Sequence, residues 1–275
     1  MPGKSFVVTS GKGGVGKTTI TSNLGSALAL RGKKVCVVDA DIGLRNLDVA
    51  MGLENRVVYD LVEVIEGKCK LKKALVKDKR SESLFLLPAS QTRNKDDISP
   101  EQMKRLILML KEEEEFEYVL IDSPAGIEQG FKNAIAGADE AIIVTTPEIA
   151  SIRDADKVIG LLQAEEIYDP KLIINRLAFD LVKRKDMMDK DDIIDILAIK
   201  LLGVIPEDKQ VIVSTGKGEP IVYSENNSAS AAAFKRIARR LEGENVPLFG
   251  IGENDGFFNR LKRIFGLDRK EVNNV

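Results

Sequence analysis

Short apolar runs bounded by turn residues recur along the chain: SFVVTS (5–10), KVCVVDA (34–40), SLFLLPA (83–89), EYVLIDSP (117–124), EAIIVTTP (140–147), KLIINRL (171–177) and KLLGVIP (200–206). They are hydrophobic nearly throughout rather than alternating, which is the pattern of strands buried on both faces. Helical spacing lies between most of them. Residues 17–31 set Ile20, Leu24, Ala27, Leu28 and Leu30 largely on one side, and Gly32 follows as a stop. Ser99-Pro100 opens a second helix, with Met103, Leu106, Ile107 and Leu110 at helical intervals before the acidic run KEEEEFE, which reads as a solvated helix end. Strands alternating with helices predict an α/β fold: a doubly wound, mostly parallel sheet of about seven or eight strands with helices on both faces. One domain over residues 1–243, a linker over 244–255 and an amphipathic helix over 256–270 is the economical division.

Composition narrows the chemistry. The chain has 275 residues, 44% hydrophobic and 31% charged, with a net charge of -2 that gives no whole-molecule field toward nucleic acid. No apolar run reaches the roughly eighteen residues of a membrane span, and MPGKSFVVTSGKGG enters a strand at once, so a cytoplasmic protein without a signal peptide is expected. There is no histidine, which removes imidazole acid–base catalysis and histidine-ligated zinc. Cys36 and Cys69 are too few and too far apart for a metal site within one chain, and Cys36 reads as a small buried hydrophobe. The remaining set of Lys, Asp, Asn, Thr and backbone amides suits phosphate chemistry.

GKGGVGKT, from Gly11 to Thr18, follows the first strand directly and opens a helix, the context that a G-x-x-x-x-G-K-[ST] loop requires. Such a loop curls its backbone N–H groups onto phosphate oxygens at the positive end of a helix. Gly11, Lys12, Gly13, Gly14, Val15, Gly16, Lys17, Thr18 and Thr19 are the candidate nucleotide contacts, with Lys17 on the β- and γ-phosphates and Thr18 on Mg²⁺. Asp39 and Asp41 stand at the carboxyl end of the second strand and Asp122 at the end of YVLID, where ligands gather in open α/β sheets. These three are candidate magnesium residues, the aspartates acting through water, and Asp39 could instead simply cap its strand. Asn94-Lys95-Asp96-Asp97 fits the guanine motif N-K-x-D, but it precedes the strand ending at Asp122 and sits in a polar turn.

The extra lysine in GKGGVGKT makes this loop resemble the deviant Walker A loop of the MinD/ParA class of P-loop ATPases, and DADIGLRNLDVAMGLENRVVYDLVEVIEG, LPASQTRNKDDIS, DSPAGIEQGF, SIRDADKVIG and GVIPEDKQVIVSTGKGEPIV extend the likeness to the septum-positioning branch over nearly the whole chain. The resemblance implies that Lys12 reaches the nucleotide of a second subunit, that Asp41 positions the attacking water, and that Lys12, Lys17 and Asp41 are the catalytic residues. It places adenine beside Asn175, Pro206 and Asp208, favouring ATP, and puts Asp154 and Asp156 on a partner-binding surface, although both also suit solvated charges near a helix start. Cluster-handling members of the class use paired cysteines that are missing here.

In GFFNRLKRIFGLDRK (256–270), Phe257, Phe258, Leu261, Ile264 and Phe265 fall within an arc of about 120° at helical spacing, with Arg260, Lys262 and Arg263 outside it. Phe257, Phe258, Leu261, Lys262, Arg263, Ile264 and Phe265 are therefore candidate membrane contacts, apolar face down and cations at anionic headgroups. A helix docked on its own domain, a partner-binding helix or a nucleic-acid contact are the alternatives. The resemblance favours the membrane, and it implies an ATP-dependent homodimer, a MinC-type division inhibitor and, in some organisms, a MinE-type activator as partners, with no specific nucleic acid. Two other readings are a ParA-like DNA-partition ATPase and a nucleotide-gated scaffold with incidental hydrolysis.

Overall fold

The computed structural model describes residues 3–224 and 228–248. The chain runs β1 (Lys4–Thr9), α1 (Lys17–Ala29), β2 (Val35–Asp39), α2 (Leu47–Met51), α3 (Leu61–Ile65), α4 (Leu71–Ala74), β3 (Val76–Lys77) and β4 (Leu84–Leu87). It continues through α5 (Pro100–Glu112), β5 (Tyr118–Asp122), α6 (Gln129–Ala136), β6 (Glu140–Thr145), α7 (Ile149–Ala164) and β7 (Lys171–Leu177). The last elements are α8 (Phe179–Arg184), α9 (Lys190–Leu197), β8 (Lys200–Pro206), α10 (Lys209–Gly216) and α11 (Ala229–Leu241).

The eight strands form one sheet in the order β3-β4-β2-β5-β1-β6-β7-β8. Every pairing is parallel except β3 with β4. The expected doubly wound sheet is therefore present, with eight strands. β2 is buried at every position, which its unbroken VCVVD requires. Alternate residues of each strand feed two separate cores. On one face Val7, Val38 and Ile121 pack with Leu106 and Ile107 of α5 and Val158 and Leu162 of α7. On the other, Val8, Val37 and Leu120 pack with Leu24 and Leu28 of α1 and Phe234 and Ile237 of α11.

Helix boundaries follow local chemistry. α5 starts where Ser99 and Gln102 form a reciprocal capping box with Pro100 at the first position. The acidic run after it is largely solvent-facing around a buried Phe116, as a solvated helix end should be. α1 stops two residues sooner than the apolar spacing suggests, and Leu30 is 50% exposed rather than part of the buried stripe. β3 is not expected from the sequence: two residues paired antiparallel with Leu86 and Phe85 carry no periodic signal. The boundary at 243 also falls short. Val246 is buried, and Arg240 and Arg236 of α11 donate to the carbonyls of Val246 (2.7 Å) and Leu248 (3.2 Å), so the strap after α11 belongs to the domain. The rest of the expected linker and the 256–270 helix lie outside the described residues.

A phosphate-binding loop beside three carboxylates

β1 lies between β5 and β6, and the carboxyl ends of β1, β2 and β5 bring the loop 10–16, Asp39, Asp41 and Asp122 to one place. The loop is shaped by two left-handed glycines, Gly14 (φ 77°) and Gly16 (φ 103°). Asn175 fixes it from below: its Nδ2 donates to the Val15 carbonyl at 2.7 Å and stands 2.4 Å from where a Cβ on Gly16 would be. At the other end of the loop, a Cβ on Gly11 would lie 2.3 Å from the Asp154 carbonyl oxygen, so loop and α7 meet backbone to backbone. Gly13 and Lys12 are exposed at the loop tip, Val15 is buried under it, and Thr19 lines the pocket described below.

Lys17 is only 8% exposed, and its Nζ donates to Ser10 Oγ at 3.0 Å; that hydroxyl donates in turn to the Lys12 carbonyl at 2.7 Å. No carboxylate among the described residues lies within ion-pairing distance of it. Burial lowers its pKa, partly offset by the fields of Asp122 and Asp41. A buried ammonium held by a hydroxyl at the first turn of a helix is suited to a multiply charged anion.

The carboxylates are crowded. β2 and β5 pair Asp39 directly with Asp122. Burial first, then the neighbouring Asp39, pushes Asp122 up to about 8, against the opposing hydrogen bond from Thr18. Burial also raises Asp39 to about 6, although its oxygens accept the amides of Asp41, Asn46 and Leu47, each at 3.0 Å. Asp39 thereby holds the following loop in place. Thr18 Oγ1 donates to Asp122 Oδ2 at 2.7 Å. Asp41 is half-buried and raised by burial, with Lys95 and Lys17 acting against the shift. Lys95 is a neighbour that sequence reasoning misses, hidden inside the guanine-like string. Asn94 and Asp97 of that string cap each other in a single polar turn.

Among the described residues no three carboxylate, cysteine or histidine side chains close on one point as a self-sufficient cage. A Mg²⁺ ion held by one or two protein groups together with substrate phosphates and water needs no such cage. Thr18 with Asp122 behind it could supply the protein part of such a site.

A cavity of about 380 Å³ opens beside Gly16 and Thr19, lined by Asn175, Pro206 and Asp208, the three candidate base contacts. Phe234 and Val211 give it an apolar floor. Arg176, also on its wall, is a non-glycine at φ 58° where the pairing of β7 with β8 shifts register, a bulge with no sequence signature. Asp208 caps α10 by accepting from Gln210 N at 2.9 Å and also accepts from Ser228 Oγ at 2.7 Å.

Lys12 stands 3.4 Å from Glu148, an exposed pair at the start of α7. Asp154 pairs with Lys157 one turn on at 3.4 Å, and Asp156 is exposed on the same helix. The structure thus gathers the loop, Asp39, Asp41 and Asp122, sets the base candidates in the adjoining cavity and puts Asp154 and Asp156 on α7. The candidate membrane residues Phe257, Phe258, Leu261, Lys262, Arg263, Ile264 and Phe265 lie outside the described residues.

The ParA family model, described as NUBPL iron-transfer P-loop NTPase, matches residues 3–242. The chain is 56% identical over 268 residues to the septum site-determining protein MinD of Bacillus subtilis strain 168, covering 96% of this chain and 99% of the relative. Among solved structures, the MinC:MinD cell division protein complex of Aquifex aeolicus superposes with a TM-score of 0.84 at 50% identity, covering 90% of this chain and 98% of that one. The septum site-determining protein MinD complexed with Mg-ADP from Pyrococcus horikoshii OT3 gives 0.78 at 32% identity, over 87% and 96%. The match runs through every element that builds the loop, the carboxylate cluster and the adjoining cavity, and the chain belongs to the MinD group of septum site-determining ATPases within the ParA family of P-loop NTPases.

Proposed function

We propose that this chain is a Mg²⁺-dependent ATPase that dimerises around ATP, settles on the inner face of the cell membrane through residues 256–270, and positions the division septum by holding a MinC-type inhibitor there. The buried Lys17 ammonium, set against a hydroxyl at the mouth of a helix, carries the nucleotide part of the reading. Lys17 and the loop amides would bind the β- and γ-phosphates, Thr18 and the water shell held by Asp122 would seat Mg²⁺, and Asp41 would orient the attacking water. What Mg²⁺ supplies there is neutralisation of charge on the phosphate oxygens. Asn175, Pro206 and Asp208 would hold the base.

Lys12, exposed at the loop tip, is free to leave Glu148 and meet a partner subunit's nucleotide, where a cation in trans stabilises the transition state. The surroundings suit a second copy of the chain: Leu44, Ile127 and Ile149 are exposed aliphatics that closely follow Asp41, Asp122 and Glu148 along the chain. One short amphipathic helix binds a bilayer weakly, whereas two on one dimer gain roughly 10²–10⁴ by avidity. Hydrolysis, slow until a MinE-type activator engages α7, would open the dimer and release it. The relatives at about half identity favour septum placement over the DNA-partition reading.

Sedimentation with anionic liposomes tests this, comparing ATP with ADP and the full chain with one ending at Asp255. Binding that requires both ATP and the tail is expected. Tail-independent binding, or equal binding in both nucleotides, would overturn the membrane switch.

A further inference from the structure

α11 carries Lys235, Arg236, Arg239 and Arg240 and no acidic residue, in a chain of net charge -2. Its other face is buried, with Phe234, Ile237, Ala238 and Leu241 in the core against the sheet. Lys235 and Arg239 are exposed, and Lys235 has no ion-pair partner among the described residues. Arg239 pairs with Glu244 at 2.7 Å, and Arg31 and Lys33, at the end of α1, extend the cationic edge while pairing with Glu242. Six cations therefore share this edge with Glu242, Glu244 and Glu117.

The same helix fixes where the chain departs. Arg240 and Arg236 hold the carbonyls of Val246 and Leu248, so the strap leaves the domain alongside the basic side chains. Seven residues, 249–255, separate Leu248 from the amphipathic stretch at 256. Fully extended they reach roughly 25 Å. A domain tethered that closely to a bilayer can turn only a limited part of its surface toward it, and the part beside the tether is cationic. Lys and Arg near an anionic surface each raise binding roughly fivefold, within a screening distance of about 8–10 Å.

We infer that the exposed basic face of α11, centred on Lys235 and Arg239, is a second membrane contact that seats the ATPase domain on anionic headgroups and fixes its orientation. The inference rests on the reading of residues 256–270 as the anchor. With α11 down, α7 lies on the opposite side of the sheet, facing away from the bilayer with Asp154 and Asp156 open to soluble partners.

The test uses full-length protein with ATP and Mg²⁺ on phosphatidylglycerol–phosphatidylcholine vesicles and on pure phosphatidylcholine. It compares wild type, the double variant Lys235→Glu/Arg239→Glu, and the tail variant Phe258→Glu/Ile264→Glu. The α11 variant should bind the anionic vesicles at least about tenfold more weakly and show a shallower salt dependence, with nucleotide affinity and helical content unchanged. Lys235→Gln/Arg239→Gln should fall between it and wild type. Undiminished binding by the α11 variant, while the tail variant fails to bind, would overturn the second contact and leave the anchor standing. Undiminished binding by the tail variant would overturn the anchor and this inference with it.

Discussion

Thr18 Oγ1 hydrogen-bonds Asp122 Oδ2 at 2.7 Å, joining the first turn of α1 to the carboxyl end of β5 across a pocket where Asp39 stands level with Asp122. That carboxylate is kept out of water beside a like charge, and its protonation is coupled to folding. An acid whose pKa is raised on folding stabilises the fold while protonated, fully so below its ordinary 3.8, and loses that contribution as pH rises through about 8 for Asp122 and about 6 for Asp39. Asp122→Asn keeps an acceptor for Thr18 without the charge. In nucleotide-free protein, the stability of this variant relative to wild type should grow between pH about 4 and about 8, by on the order of 5 kcal/mol. Denaturant titrations of both proteins across that range check it, and the variant should be inactive.

Lys12→Ala should separate fold from function. The pair with Glu148 is exposed on both sides, so its loss should leave the melting temperature and nucleotide affinity nearly unchanged. Activated hydrolysis should fall by at least about 10³-fold if the lysine acts in trans. Wild-type turnover in the variant would remove that role.

The loop depends on Asn175 from beneath. Asn175→Ala leaves the Val15 carbonyl unpaired in a buried place and should weaken nucleotide binding by about 1–3 kcal/mol, read by calorimetry. Gly16→Ala is more severe, since its Cβ would collide with Asn175 at 2.4 Å in a left-handed backbone that L side chains disfavour. No measurable binding is expected from it.

Phe234 fills the core under α11 and also lines the cavity proposed to hold the base. Phe234→Ala should cost about 3–5 kcal/mol in unfolding free energy and weaken ATP more than inorganic triphosphate, whose contacts stop at the loop. Equal loss for both ligands would show that the cavity does not hold the base.

Most of this architecture was legible in the chain because its signals are local. The continuous apolar runs bounded by turns read as strands, and the glycine-rich string after the first reads as a phosphate loop, from neighbouring residues alone. What escaped was set by packing. β3 exists because Val76 and Lys77 happen to lie along β4, and the strap to Leu248 is ordered because arginines on α11 reach its carbonyls. Lys95 faces Asp41 only after α6 and the loop following β4 have been brought together, where Asn133 holds the Lys95 carbonyl at 3.0 Å. Spacing along the sequence contains none of these distances. Leu30 shows the reverse error, an apolar residue on the right stripe but past the end of its helix.

The missing side chain at Gly11 has a mechanical consequence. Because the Asp154 carbonyl would sit 2.3 Å from a Cβ there, the loop that cradles phosphate and the helix that begins at Ile149 share one surface with no slack between them. A side chain at position 11 would force the two apart, so Gly11→Ala should loosen the loop and the start of α7 together, read as faster amide exchange in both.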